Sequence, residues 1–367
     1  MSFELNERAL YRYLLTRNSQ QPHSEVQVKR SLAFLVSASL LAFAIGAFAE
    51  DKSPLTLSDT IALPQLHDGD FDHFVVDLKG NRLFATAEEN SKVLVFDLKT
   101  NKLIHSIVDL KAPHSLLYRS DANKLFVVDG DLGEVKIYAA DTYEPIGSIK
   151  LKEGADASAY DPKTNYLYVV NGGKDAKLPN SYISVIDTNT GKVVGELKID
   201  SNDVEGIAIE KSGPRMFVDI RGNNSVEVFD REKRTLLATW SVAQEAKKPT
   251  AIAFDESSHR LFVGTRDPGK LVVLDTESGK VVASMPAAAM VDDMAYDAAS
   301  KRIFFAGSLF IDVFQQKDAD HYVSVGHVPG AFRAKTGILV PELGRYYLGV
   351  PHHEKQTAEV RVYTVTQ

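Results

Sequence analysis

Seven positions in this chain of 367 residues, Asp72, His114, Asp156, Glu205, Thr250, Asp292 and Lys335, recur at steps of 42, 42, 49, 45, 42 and 43 residues. Five of them are Asp, Glu or His, whose oxygens and imidazole nitrogens hold divalent cations. If the fold brings these positions together, Asp72, His114, Asp156, Glu205 and Asp292 form the donor set of a metal centre for one divalent cation. Lys335 is the alternative neutraliser of an acidic ring that would otherwise repel itself. His73 follows Asp72 directly, and His352 and His353 belong to the same sector of the repeat. A plainer reading competes, because Asp and His at the start of strands often only satisfy backbone groups and turns. The chain has no H-E-x-x-H run, G-x-S-x-G elbow, Walker loop or Rossmann fingerprint. Any site must therefore be assembled by the fold.

The spacing points to a repeated unit of four strands. An aromatic-rich strand opens at Leu83-Phe84, Leu125-Phe126, Leu167-Tyr168, Met216-Phe217, Leu261-Phe262, Ile303-Phe304 and Tyr346-Tyr347, and each candidate position lies eleven residues upstream of its opening. An apolar run and a turn precede each opening, and a third strand such as Val93-Leu94-Val95-Phe96-Asp97 follows it. A turn such as Asp275-Thr276-Glu277-Ser278-Gly279-Lys280 then leads to a fourth strand. Short runs rich in Val, Ile, Tyr and Phe between Asp/Asn/Gly/Ser turns read as antiparallel hairpins. Seven such units predict an all-β, seven-bladed β-propeller, an architecture that leaves only short sheet edges.

The last unit has three strands before the chain stops at Gln367, while residues 55–61 form a strand without a partner nearby. Pairing the two closes the ring, and deleting residues 50–62 should then cost far more stability than trimming an ordinary terminus. The starts of the first strands and the loops between second and third strands share one face around the channel, so the candidate positions ring its mouth. Those loops are longest around residues 172–181 and 351–359, the latter holding His352 and His353. Arg221 and Arg266, at equivalent second-strand ends, could bind an anionic group together, although arginines at such ends are commonly only solvated. Trp240 reads as packing on the outside of a blade.

The third unit, Asn165-Tyr166-Leu167-Tyr168-Val169-Val170-Asn171-Gly172-Gly173 followed by Tyr182-Ile183-Ser184-Val185-Ile186-Asp187-Thr188-Asn189-Thr190-Gly191-Lys192, resembles the YVTN-family β-propeller repeat. The fifth unit is similar but reads Phe262-Val263-Gly264-Thr265, and units six and seven depart further. The resemblance implies the fold and a bacterial secreted protein. It does not specify function, since propellers host binding proteins, scaffolds and enzymes alike.

Lys29 and Arg30 precede an uncharged run, residues 31–49, that ends in Ala47-Phe48-Ala49, so residues 29–49 read as a signal peptide and residues 50–367 as the propeller. A retained anchor is the rival reading. Residues 1–28 are an N-terminal extension, with a start at Val26 or Val28 as the alternative. Lys and Arg number 42 against 49 Asp and Glu; residues 1–49 hold 5 of the basic and 3 of the acidic ones, so the remainder carries −9. That charge argues against nucleic-acid binding. Without cysteine there are no disulfides or thiolate sites. These features predict a periplasmic or extracellular binding or scaffold protein, not an enzyme, with a small-molecule or protein ligand at the channel mouth. The alternative is a metal-dependent hydrolase, because the ring is similar to that of propeller lactonases of the gluconolactonase type. That likeness implies Asp156 and Glu205 as metal ligands and Asp292 or His114 as proton acceptor.

Overall fold

The computed structural model describes residues 53–366, which form a ring of seven four-stranded antiparallel blades. Blade 1 comprises Phe71–Asp77, Arg82–Ala87, Lys92–Asp97 and Lys102–Ile107, and blade 2 comprises Pro113–Arg119, Lys124–Asp129, Glu134–Ala139 and Pro145–Lys150. Blade 3 is built from Ser158–Asp161, Tyr166–Gly172, Ser181–Asp187 and Lys192–Ile199, and blade 4 from Val204–Ile209, Arg215–Ile220, Ser225–Asp230 and Thr235–Ser241. Lys247–Asp255, Arg260–Asp267, Gly269–Asp275 and Val281–Pro286 form blade 5; Asp293–Asp297, Arg302–Gly307, Phe310–Gln316 and Tyr322–Pro329 form blade 6. Blade 7 has Thr336–Val340, Arg345–Val350 and Glu359–Val365, and Leu55–Ala62 supplies its outer strand. The segments 1–28 and 29–49 lie outside the described residues.

Burial explains the sequence pattern strand by strand. Second and third strands are covered on both faces by neighbouring blades, so they are apolar without alternation: Leu83, Phe84, Ala85, Val93, Leu94 and Val95 are all fully buried. Fourth strands face solvent and keep polar residues, with Ile104 about half exposed at 52%. The turn after the third strand of blades 1, 3, 4 and 5 is set by an Asp side chain that accepts backbone N–H groups. Asp97 Oδ1 takes those of Lys99 and Thr100 at 3.0 and 2.7 Å, and Asp275 Oδ1 takes that of Ser278 at 2.8 Å. These turns also hold a left-handed residue, such as Asn101 (φ 51°) and Gly279 (φ 69°). Trp240 packs on Phe217 with ring centroids 5.8 Å apart, the outer-face role expected of it.

Closure follows the expected pairing. Leu55–Ala62 runs antiparallel to Glu359–Val365, from Leu55 opposite Val365 to Ala62 opposite Glu359. Leu55 packs with Phe304, Tyr346 and Tyr363, while Ile61 packs with Leu83, Tyr347 and Val360. The closing strand thereby joins the cores on both sides of blade 7.

Neighbouring blades are also tied by arginines at the start of second strands. Arg215 Nη1 donates to Thr276 O at 2.6 Å, Arg260 Nε to Ala319 O at 3.1 Å and Arg345 Nη1 to Leu98 O at 2.9 Å, and Arg82 and Arg302 reach Ala140 O and Thr366 O in the same way. Each arginine bonds a carbonyl beyond the third strand of the next blade. The fork of donors suits a turn with spare acceptors, and a charged hydrogen bond of this kind contributes about 1.5–3 kcal/mol. Blades 2 and 3 have Lys124 and Tyr166 at that position. There Arg119 reaches Thr188 Oγ1 at 2.5 Å, and Arg231 of blade 4 reaches back to Asp161 at 3.2 Å.

Candidate functional site

The channel mouth is shaped by interruptions in the first strands. In blades 1, 2, 4 and 5 the pairing of first to second strand slips between Phe71 and Phe74, Pro113 and Leu116, Val204 and Ile207, and Pro249 and Ala251. The bypassed residues include Asp72, His114, Glu205 and Thr250. A bulge re-aims a side chain that regular pairing would direct elsewhere, and here it presents ring positions to the channel. In blades 3, 6 and 7 the equivalent residues, Asp156, Asp292 and Lys335, sit just before the first strand.

All seven positions line one cavity of about 370 Å³, together with His73, Glu88, Arg221, Arg266 and Asp293. Ala157, Ile207, Ile252 and Met294 add apolar wall. His352 and His353 are not among its lining residues. His352 pairs instead with Asp68, and His353 lies over the Phe332 ring at 4.8 Å. Gln356 explains their removal: its Nε2 donates to Phe332 O and Pro351 O at 2.9 and 2.8 Å, folding the 351–359 loop back onto the rim.

The acidic ring divides into two sectors. In blades 4 to 7 every ring carboxylate meets an arginine or lysine: Glu205 pairs with Arg221 and lies 3.7 Å from Lys174, and Asp292 pairs with Arg266 and lies 2.7 Å from Lys335. Lys335 also approaches Asp70 at 3.3 Å, and Arg333 approaches it at 2.9 Å. Arg221 and Arg266 are therefore buried ion-pair partners, with side chains 14% and 12% exposed, rather than solvated. The reason is their register, which aims them inward beside the ring. This pairing sets Glu205 and Asp292 of the expected donor set against cations, while Asp72, His114 and Asp156 stand in direct contact.

In blades 1 to 3 the carboxylates meet histidines. His114 Nδ1 is 2.7 Å from Asp72 Oδ2 and 3.5 Å from Asp156 Oδ1, and its Nε2 is 3.9 Å from Glu88 Oε1. His73 Nδ1 is 3.2 Å from Asp293 Oδ1, and its Nε2 is 3.8 Å from Asp72 Oδ1. The main chain at His73 is anchored where the pairing slips, for His73 N donates to Thr86 Oγ1 at 2.8 Å. Gly130 leaves room for His114, because a Cβ there would fall 2.8 Å from Nε2.

Electrostatics follow from this crowding. Burial opposes the charge of Asp72, but His73 and His114 overcome it and hold the carboxyl below the usual range. Burial likewise opposes charge on both histidines; Asp72 and Asp293 around His73, and Asp156 and Asp72 around His114, raise them well above normal. Burial pushes Glu88 up to about 8, with His114 opposing and Asp72 reinforcing the rise. It pushes Asp156 up to about 7 against the pull of His114, aided by Glu205. Asp293 is raised by burial despite His73, whereas Lys335 and Arg266 hold Asp292 down against burial. Below the ring, Asp219 is fully buried, and burial followed by the charge of Glu205 raises it well above the carboxylate range.

Neither known protein families nor curated sequences provide a match to this chain. Solved structures do. A chain of the Mitotic Checkpoint Complex superposes with a TM-score of 0.70 at 16% identity, covering 92% of this chain and 99% of that one. The Kuenenia stuttgartiensis Hydrazine Synthase gives 0.66 at 17% identity, covering 77% and 93%, and the WD40 repeats of RRP9 give 0.71 at 11% identity, covering 85% and 100%. At such identities these likenesses speak for the seven-bladed propeller fold and leave the chemistry of the channel mouth to the residues that form it.

Proposed function

We propose that the protein is an exported binding protein that holds a small, polar, charged ligand at the mouth of the propeller channel. One observation carries this reading: equivalent positions of seven blades converge on a single cavity and furnish it with four acids, an imidazole, a lysine and a hydroxyl, to which His73, Arg221 and Arg266 add. Burying charges costs free energy unless they are well paired, and apolar side chains would plug a channel more cheaply. The cavity volume is in the range of small-molecule sites, and its lining, mostly polar and charged with a smaller apolar wall, suits a polar or charged ligand rather than an apolar one. The observed pairings favour binding over the lactonase-type chemistry, which needs Glu205 on a metal beside Asp156, whereas Glu205 lies against Arg221 and Lys174.

The test is a thermal-shift screen of sugars, carboxylic acids, amines and amino acids against the wild-type chain and Thr250→Trp, which fills the cavity. At least one compound is expected to raise the wild-type melting temperature and leave the plugged variant unmoved. Equal shifts in both proteins, or none with any compound class, would contradict a ligand at the mouth. The likeness to the YVTN family and the 29–49 segment support export. Sequencing the secreted protein should then find Glu50 at its N-terminus; a chain that retains residues 1–28 would argue against cleavage.

A further inference from the structure

The two sectors of the ring are neutralised differently. Glu205, Asp292 and Asp70 each lie against arginine or lysine, whereas the bases in direct contact with Asp72, Glu88, Asp156 and Asp293 are the two imidazoles of His73 and His114, with Lys335 acting on Asp72 and Glu88 only from farther away. Four carboxylates share two histidines. We propose that this sector binds a divalent transition cation, zinc or manganese, between Asp72, Glu88 and His114.

The geometry is compatible with one ion. One donor atom each from Asp72, Glu88 and His114 lies within 4.8 Å of the others, and the same holds for Asp72, His73 and Asp156, so two donor trios meet at one carboxylate. Asp156 also stands 3.5 Å from His114 Nδ1. Imidazole with carboxylates suits zinc and manganese, whereas calcium and magnesium favour all-oxygen sets. The donors come from neighbouring blades: Asp72 and Glu88 flank the first hairpin of blade 1, and His114 and Asp156 hold the same ring position in blades 2 and 3. Packed strands fix their separations more firmly than free loops would. Ser115 Oγ steadies this arrangement by donating to Asp156 O at 2.6 Å. The cation would occupy part of the proposed ligand cavity, but it needs no organic ligand.

The experiment strips the full chain with chelator and adds zinc, manganese, calcium or magnesium alone. After gel filtration, elemental analysis should find one zinc or manganese per chain. Metal at roughly 100 times its dissociation constant should raise the melting temperature by about 5 °C, while calcium and magnesium do little at the same concentration. Glu88→Gln, which preserves shape, should weaken binding by roughly tenfold or more, and His114→Ala should abolish it. His321→Ala, on the exposed turn beyond the third strand of blade 6, should bind as wild type. Should His114→Ala not fold without metal, Glu88→Gln and Asp72→Asn carry the comparison. Fewer than about 0.1 metal ions per chain, or binding unchanged by Glu88→Gln, would overturn the proposal. Because the probes are metals alone, that result would leave the screen for a polar ligand unaffected.

Discussion

A chain lacking residues 55–62 is expected to melt about 10 °C or more below the intact protein, and to do so with reduced cooperativity. The strand buries Leu55 and Ile61, at 2% and 7% exposure, and burial of two such aliphatics is worth about 3–6 kcal/mol. Its loss also strips Val360, Val362 and Tyr363 of cover and turns Glu359–Val365 into a bare sheet edge. For a domain of this size each kcal/mol moves the melting temperature by roughly 2–4 °C. Leu55→Ala with Ile61→Ala should destabilise in the same direction while keeping the backbone ladder, and serves if the deletion does not fold. Circular dichroism melts check both. A deletion variant melting within about 2 °C of wild type would show that the ring closes without this strand.

Stability should also fall as pH rises through neutrality, in protein kept metal-free by chelator. Glu88 faces His114, Asp72, Glu89 and Lys335, and Asp156 faces His114, Glu205, Asp72 and His73. Both acids hold their protons more tightly when folded. Their contribution is therefore complete below the unfolded values, 4.5 and 3.8, and is lost as pH climbs through about 8 and about 7 respectively. His73 and His114, also raised, contribute below 6.5 and lose that contribution at higher pH. Asp72 and Asp292 act oppositely: held low in the folded state, they stabilise above 3.8 and lose that effect as pH falls. The maximum thus lies on the acidic side of neutral. One proton held in the folded chain and released in the unfolded one is worth about 1.4 kcal/mol for every pH step of one, so Glu88 alone makes the fall between pH 5.5 and 8.5 roughly 3.5 kcal/mol, and Asp156 and the histidines add to it. Glu88→Gln combined with Asp156→Asn should flatten that limb of the urea-unfolding profile. A wild-type profile level across this range, or the same slope in the double variant, would contradict the proton sharing inferred for the mouth.

The blades were legible because their register repeats: the aromatic openings place every second strand, and counting eleven residues back reaches all seven residues of the mouth. The same counting could have found more. Glu88 lies five residues after its opening, the register of Arg221 and Arg266, but Gly130, Gly172, Ser308 and Pro351 hold that register elsewhere and make it read as turn chemistry. Asp293 shares the register of His73, ten residues before the opening, and meets it at 3.2 Å. The arginines joining the blades also carried a signal, since Arg82, Arg215, Arg260, Arg302 and Arg345 each stand one residue before an opening.

Other features depend on reach rather than register. Sequence adjacency of blades 7 and 1 correctly groups His352 with the Asp68 segment, yet it cannot say that Gln356 folds the loop outward. Nor does it reveal that Arg221 stands against Glu205.

The central claim, that the channel mouth is a binding site and not a self-neutralised plug, is tested most directly by a crystal structure of the full chain with the compound that most raises its melting temperature. The account predicts ordered density for that compound between the Asp72–His114 side of the cavity and the Thr250–Arg266 side. Density for the compound elsewhere, with the ring side chains in their present pairings and the cavity holding only water, would contradict it.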